Sequence, residues 1–459
     1  MAPEQGGHGE RDPVGSDPLL ESLASLSADE LASYAAHLMI GGGTPGPLLV
    51  KGQGVWVEDI DGNRYLDCTS QSWALYLGHC HPEIVRVLQQ QAERLGHVHQ
   101  AFQSVPRLAL AKRLADILPG PLNRISFTVG GGPAIEAAMK IALRNRPGAR
   151  RFISLYDSYH GTTLGTMGAS WQSTFAAGRF LGASVYLPLL HDTVRAPNPY
   201  CYRCPFDEQA GKCRLTCARV LRLTLERGMS GPAAGVIVEP LQASAGQIIC
   251  PREYLEEVRA ICDEFEVPLI FDEIQTFARI GRWTAAEHYG VVPDIIVLGK
   301  GLGGGLPIAA IAIRDGLEGF SPEVEELHTF ANSCLSQVTA LKLLEVIERD
   351  RLLDRVRQMG EFFRAGLEEL RSDFPEIGDI RAVGLHVGVE FVADPVSKRP
   401  LNHETVQIRK EAMKRGALFG LAGFRRNVLK IKPPFIISDG EARAVLQCLR
   451  ESMTAVLRS

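Results

Sequence analysis

The stretches Phe271-Asp272-Glu273-Ile274-Gln275 and Leu298-Gly299-Lys300-Gly301-Leu302-Gly303-Gly304-Gly305 each continue a short apolar run, Leu269-Ile270 and Ile295-Ile296-Val297. Unbroken runs of this kind, bounded by polar or glycine-rich residues, mark strands covered on both faces, because neither side is left for water. Ile125-Ser126-Phe127, Phe152-Ile153-Ser154-Leu155 and Gly235-Val236-Ile237-Val238 share that character, and helical stretches separate the runs between residues 80 and 335. The pattern implies an α/β fold with a largely parallel sheet. Ligands of such sheets sit beyond the carboxyl ends of the strands, which brings Glu239, Asp272 and Lys300 to one crevice. One charged residue there could simply end a strand in solvent. Three are poorly explained that way.

An amine and a carboxylate in one crevice suit pyridoxal 5'-phosphate. Lys300 is the candidate to hold the aldehyde as a Schiff base, and Asp272 the anion that keeps the ring nitrogen protonated. Gly130-Gly131-Gly132-Pro133-Ala134 leads into a helix with an apolar face at Ile135, Ala138, Met139, Ala142 and Leu143. A helix start favours an anion through its free N–H groups and dipole. Pro133 has no N–H, so Gly131, Gly132 and Ala134 are the expected phosphate donors. Tyr159, in Tyr159-His160-Gly161, is the candidate to stack on the ring, Ile274 to press on its other face and Gln275 to reach the phenolic oxygen. A nucleotide-binding lysine loop fits less well, because here the glycines follow Lys300 instead of preceding it.

The chain has 459 residues, 45% hydrophobic and 22% charged, which is ordinary for a globular protein of two or three domains. A net charge of −4 without a basic run argues against a nucleic-acid partner. No stretch approaches the length of an apolar membrane span, and the Gly/Pro-rich residues 1–16 contain no signal-peptide core. A cytoplasmic setting and a disordered tail are expected. Ten cysteines are few for a disulfide framework in a chain of this length. Cys201, Cys204, Cys213 and Cys217 have a spacing that could hold zinc, although packed thiols in a loop and helix start explain it as well.

Residues 17–79 read as an N-terminal segment: short amphipathic helices over Pro18–Met39, a GGGTPGP turn, then a hairpin with Asp61-Gly62-Asn63 between Val55–Ile60 and Arg64–Asp67. Residues 80–335 form the large domain and 336–459 a smaller one, with Val383–Phe391 alternating like an antiparallel strand. Ser438 and Glu441 have capping-box spacing before the last helix.

From Gly46 to the C-terminus the chain resembles the class III (subgroup II, ω-type) aminotransferases of fold type I. The likeness is carried by Gly78-His79-Cys80-His81-Pro82, Tyr159-His160-Gly161, Glu239-Pro240-Leu241-Gln242, Asp272-Glu273-Ile274-Gln275, the Lys300 segment and His328-Thr329-Phe330. The resemblance implies a large domain with a mainly parallel seven-stranded sheet flanked by helices, plus a small α+β domain from the N- and C-terminal segments. It implies cofactor contacts from His160 and Glu239, and a homodimer with active sites at the interface, in which Thr329 reaches the neighbouring subunit's phosphate.

The chain departs from the family pattern at several positions. Gly132 and Pro133 stand where a hydroxyl residue and an acid are usual, so easier cofactor loss is expected. Lys430, in Val428-Leu429-Lys430-Ile431-Lys432-Pro433-Pro434, replaces an arginine that often clamps a substrate carboxylate. It serves either as a point charge in that role or as an ordinary surface lysine. Ala331-Asn332 replaces two glycines, and ASAGQ follows Gln242. Trp73 is a candidate pocket wall.

The expected activity is amino-group transfer between an amine or amino acid and a keto acid. A lyase acting by β/γ-elimination or replacement, a decarboxylase or a racemase is the alternative on the same scaffold, and a cofactor-binding protein without turnover a third possibility.

Overall fold

The computed structural model describes residues 17–39, 46–171, 193–321 and 326–458. The N-terminal tail and most of the GGGTPGP turn lie outside the described residues. The chain divides after Leu48 into two compact units. In the first, helices Pro18–Ala24 and Ala28–Ala35 start at Asp17 and Ser27, whose side chains accept from the backbone N–H of Leu19 and Glu30. No described residue of the first helix is buried.

The second unit contains two seven-stranded sheets. The strand order of one is Leu122–Thr128, Ala309–Arg314, Ile295–Leu298, Leu269–Asp272, Ala233–Val238, Arg151–Leu155 and Thr193–Ala196. All its pairings are parallel except those of Ala309–Arg314, which runs against both neighbours. Phe271 pairs with Val238 on one side and Ile296 on the other. That register sets Glu239 and Asp272 side by side at the carboxyl edge, with Lys300 just past Leu298. On the edge strand Leu122–Thr128, Ile125 and Ser126 are only half-buried, whereas the other four runs are buried throughout the sheet's interior, as at Ile270, Phe271, Ile295 and Ile296. Each such side chain contributes roughly 1.5–3 kcal/mol of apolar burial.

The second sheet joins both ends of this unit. Its order is Leu49–Gln53, Trp56–Asp59, Arg64–Cys68, Ala417–Ala422, Val428–Ile431, His386–Phe391 and Ile377–Val383. The Asp61-Gly62-Asn63 hairpin forms with Val57 opposite Tyr65. The alternating stretch Val383–Phe391 is not one strand. It breaks at Gly384, whose φ of +52° turns Ile377–Val383 back onto His386–Phe391. A Cβ there would lie 2.7 Å from the Ile280 carbonyl carbon, so the turn requires glycine. Leu143, assigned to the apolar face of Gly131–Arg144, is 38% exposed while Ile135, Ala138 and Ala142 are buried. The capping box at Ser438 and Glu441 starts the last helix, Asp439–Leu457.

Candidate active site

A cavity of about 240 Å³ opens at the carboxyl edge of the first sheet and is lined by residues including Gly131, Gly132, Tyr159, His160, Glu239, Asp272, Ile274, Gln275 and Lys300. Asp272 is buried, with Oδ2 2.8 Å from His160 Nδ1 and Oδ1 accepting from the Ile274 N–H at 3.2 Å. Glu239 accepts from the Tyr159 N–H at 2.9 Å and the Ala243 N–H at 3.4 Å. Burial, then the neighbouring Asp272 carboxylate, push Glu239 up to about 8. Lys300 has a left-handed φ of +46°, a conformation costly for a side-chain-bearing residue and frequent at functional sites. Burial pushes its ammonium down against the opposing pull of Asp272 and Glu239.

Helix Gly131–Arg144 begins at the cavity. A Cβ on Gly131 would lie 2.9 Å from Ile274 Cδ1, and one on Gly132 would lie 3.1 Å from Thr163 Cγ2. The glycines thus open a cradle that other residues would fill. Ala134 does not belong to it. Its N–H bonds the Gly130 carbonyl at 3.1 Å, closing the first helical turn, so Gly131 and Gly132 are the remaining donors of the three. Thr162 and Thr163 also line the cavity. Thr163 Oγ1 donates to Glu136 at 2.6 Å, whereas Thr162 is exposed to the opening. These hydroxyls directly follow Tyr159-His160-Gly161 in the chain.

Lys430 is not a surface lysine. It is 3% exposed, with Nζ 3.7 Å from the centre of the Trp73 ring. Burial first, then the charges of Lys300 and Arg409, push it down to about 7. Its strand partners on either side are Gly388 and Gly420, and a Cβ on Gly420 would approach Lys430 Cε to 3.0 Å. Trp73 ends four consecutive left-handed residues from Ser70, with φ between 42° and 67°. Lys432, two residues beyond Lys430 and therefore on the same sheet face, is fully buried. Its Nζ lies 3.1 Å from both Gln275 Oε1 and His386 Nε2. Neither Lys432 nor His386 was among the sequence candidates, although the K-x-K alternation was legible.

Thr329 is exposed and outside this cavity, with its hydroxyl 3.3 Å from Gln100 Nε2. Cys201, Cys204, Cys213 and Cys217 line a separate small cavity as free thiols. Among the described residues no three His, Cys, Asp or Glu side chains are placed to hold a metal ion. No helix of the described residues is long and apolar enough to cross a membrane.

The model of the family "Aminotransferase class-III" matches residues 43–453. The chain belongs to the class III aminotransferases. An adenosylmethionine-8-amino-7-oxononanoate aminotransferase of Geobacter sulfurreducens is 34% identical, over 89% of this chain and 92% of that protein. A leucine/methionine racemase of Thermococcus litoralis is 32% identical, over 84% and 86%. A Bacillus anthracis aminotransferase structure superposes with a TM-score of 0.84 at 28% identity, covering 94% of this chain and 100% of that one. As a class III member this protein is a PLP-dependent transferase of fold type I. The cavity fits that cofactor: an amine, a buried carboxylate and a glycine cradle at a helix start face one space.

Proposed function

We propose that this protein moves an amino group between a keto acid and an amine or amino acid that carries an anionic group, with Lys300 as the proton-transfer residue. The observation that carries the reading is the convergence of Lys300, Asp272 and the Gly131–Gly132 cradle on one cavity. When bound, the cofactor supplies an electron sink for the carbon that loses its proton. Lys300, its basicity lowered by burial, takes that proton and returns it at the neighbouring position. Asp272 would hold the proton of the ring nitrogen, and His160 fixes the carboxylate's direction through its 2.8 Å contact. Tyr159 and Ile274 would hold the ring, Gln275 its oxygen, and the N–H groups of Gly131 and Gly132 the phosphate. Lys430 offers a point charge to the substrate anion, without the two-pronged geometry of arginine.

The working form in this reading is a homodimer with active sites at the interface. Phe102, Val105, Leu108 and Phe330 are exposed, Gln100 donates to the Thr329 hydroxyl, and the His97–Ser333 bridge ties the two segments together. Exposed apolar side chains gathered in this way suit a partner subunit, which Thr329 would then reach. The domain division at residues 80 and 335 belongs to the same proposal, as does a cytoplasmic location, which the ten free cysteines support.

The relative named a racemase makes racemisation the rival outcome. Mixing holoenzyme with amino donors and no acceptor separates the two. Transamination leaves the cofactor aminated and one equivalent of keto acid in solution. Inverted substrate with unchanged cofactor would overturn the proposal.

A further inference from the structure

Lys432 stands apart from the neighbouring buried cations because its contacts lead to Gln275, which lines the cavity. Its Nζ lies 3.1 Å from Gln275 Oε1, the one protein hydrogen bond of the Gln275 side chain among the described residues. The amide oxygen only accepts, so Lys432 is the donor in this contact and Oε1 is the end of the amide turned toward Nζ. With Oε1 occupied, Nε2 and its two hydrogens are left for the cavity that Gln275 lines. Lys432 is itself held by His386 Nε2 at 3.1 Å and by the face of Trp73, 5.2 Å away. Lys430, Arg279 and Lys300 add positive charge around it, and Glu239 negative charge. No carboxylate bonds it among the described residues.

We propose that Lys432 is a positioning residue: it locks the Gln275 amide with its N–H groups toward the cofactor's ring oxygen, so that the site always presents a donor there. This rests on the reading that the cavity holds the cofactor with Gln275 at that oxygen. A donor at the ring oxygen stabilises its anionic form and makes the adjoining nitrogen less basic. The consequence is spectroscopic. Losing the lock raises the pH midpoint between the two visible absorbance bands of the holoenzyme.

The test compares holoenzyme absorbance against pH for Lys432→Met, Gln275→Leu and the double variant. Each single change raises the midpoint by about one pH unit, and the double variant rises no further than Gln275→Leu alone. Lys432→Arg, which keeps a donor at Oε1, returns the midpoint toward the wild-type value. Additive shifts in the double variant would mean that Lys432 acts by its charge directly, and an unchanged midpoint in Lys432→Met that it does not act on the cofactor; either overturns the proposal. Gln275→Glu covers the case of a Lys432→Met protein that does not fold. It keeps the Lys432 contact but removes the donor, so its midpoint rises by at least as much, and an unmoved midpoint again overturns the lock. The cofactor reading fails separately, if wild-type holoenzyme shows no pH-dependent visible band or borohydride leaves Lys300 unlabelled.

Discussion

At the carboxyl edge of the first sheet, the acids meet partners of their own chain: Asp272 has His160 and the Ile274 N–H, and Glu239 has two backbone N–H groups. In the strand Val428–Ile431 of the second sheet and just beyond it, Lys430 and Lys432 are buried without a carboxylate partner among the described residues. An unpaired buried charge costs several kcal/mol unless something arrives to meet it. The first wall is therefore completed by a resident group of known shape. In the proposed reading the second answers a substrate anion, whose arrival offsets the burial that disfavours the charged lysine.

The sharpest break in that comparison is Lys300→Ala, which removes the proton carrier of the first wall. Turnover falls by roughly 10³-fold or more, measured as single-turnover conversion of an amino donor. A protein retaining full activity would leave the first wall without a role. Asp272→Asn keeps the shape but not the charge, and kcat drops about 10²–10⁴-fold with KM little changed.

The second wall responds differently. Lys430→Met raises KM about 10–100-fold for amino acids and leaves simple amines unaffected, since only the former bring a carboxylate. The same variant stabilises the apoenzyme at pH 7 by about 1–4 kcal/mol. The sign follows from linkage. The folded state holds Lys430 at about 7 while the unfolded chain binds that proton up to its ordinary value, so the penalty is full below pH 7 and fades as pH rises. Denaturation curves of wild type and variant should converge toward pH 10. The smallest effect belongs to the cradle. Thr162→Val speeds cofactor loss on dialysis about 5-fold, the worth of one hydrogen bond; an unchanged rate would mean that Gly131 and Gly132 hold the phosphate without that hydroxyl.

The first wall was legible because it is built from neighbours along the strands. An apolar run followed by Asp272 or Lys300 encodes both the element and the side chain at its end, and glycines before Ile135 encode the helix start. Within that turn, the sequence reading erred at Ala134, whose N–H is spent inside the helix. The second wall was legible only in part. Lys430 could be read as clamp or surface residue, because the sequence near it does not say which glycines flank it in the sheet.

By itself the sequence determined the α/β pattern, the lysine and aspartate of the crevice, and the family likeness, since each depends on local order and periodicity. Only the tertiary structure decided that Lys430 is buried against Trp73, that Gly420 makes room for it, and that Lys432 reaches Gln275 across 157 positions of chain. Those facts depend on how one sheet packs beside the edge of the other, and the desolvation that alters a lysine's chemistry exists only once both are in place.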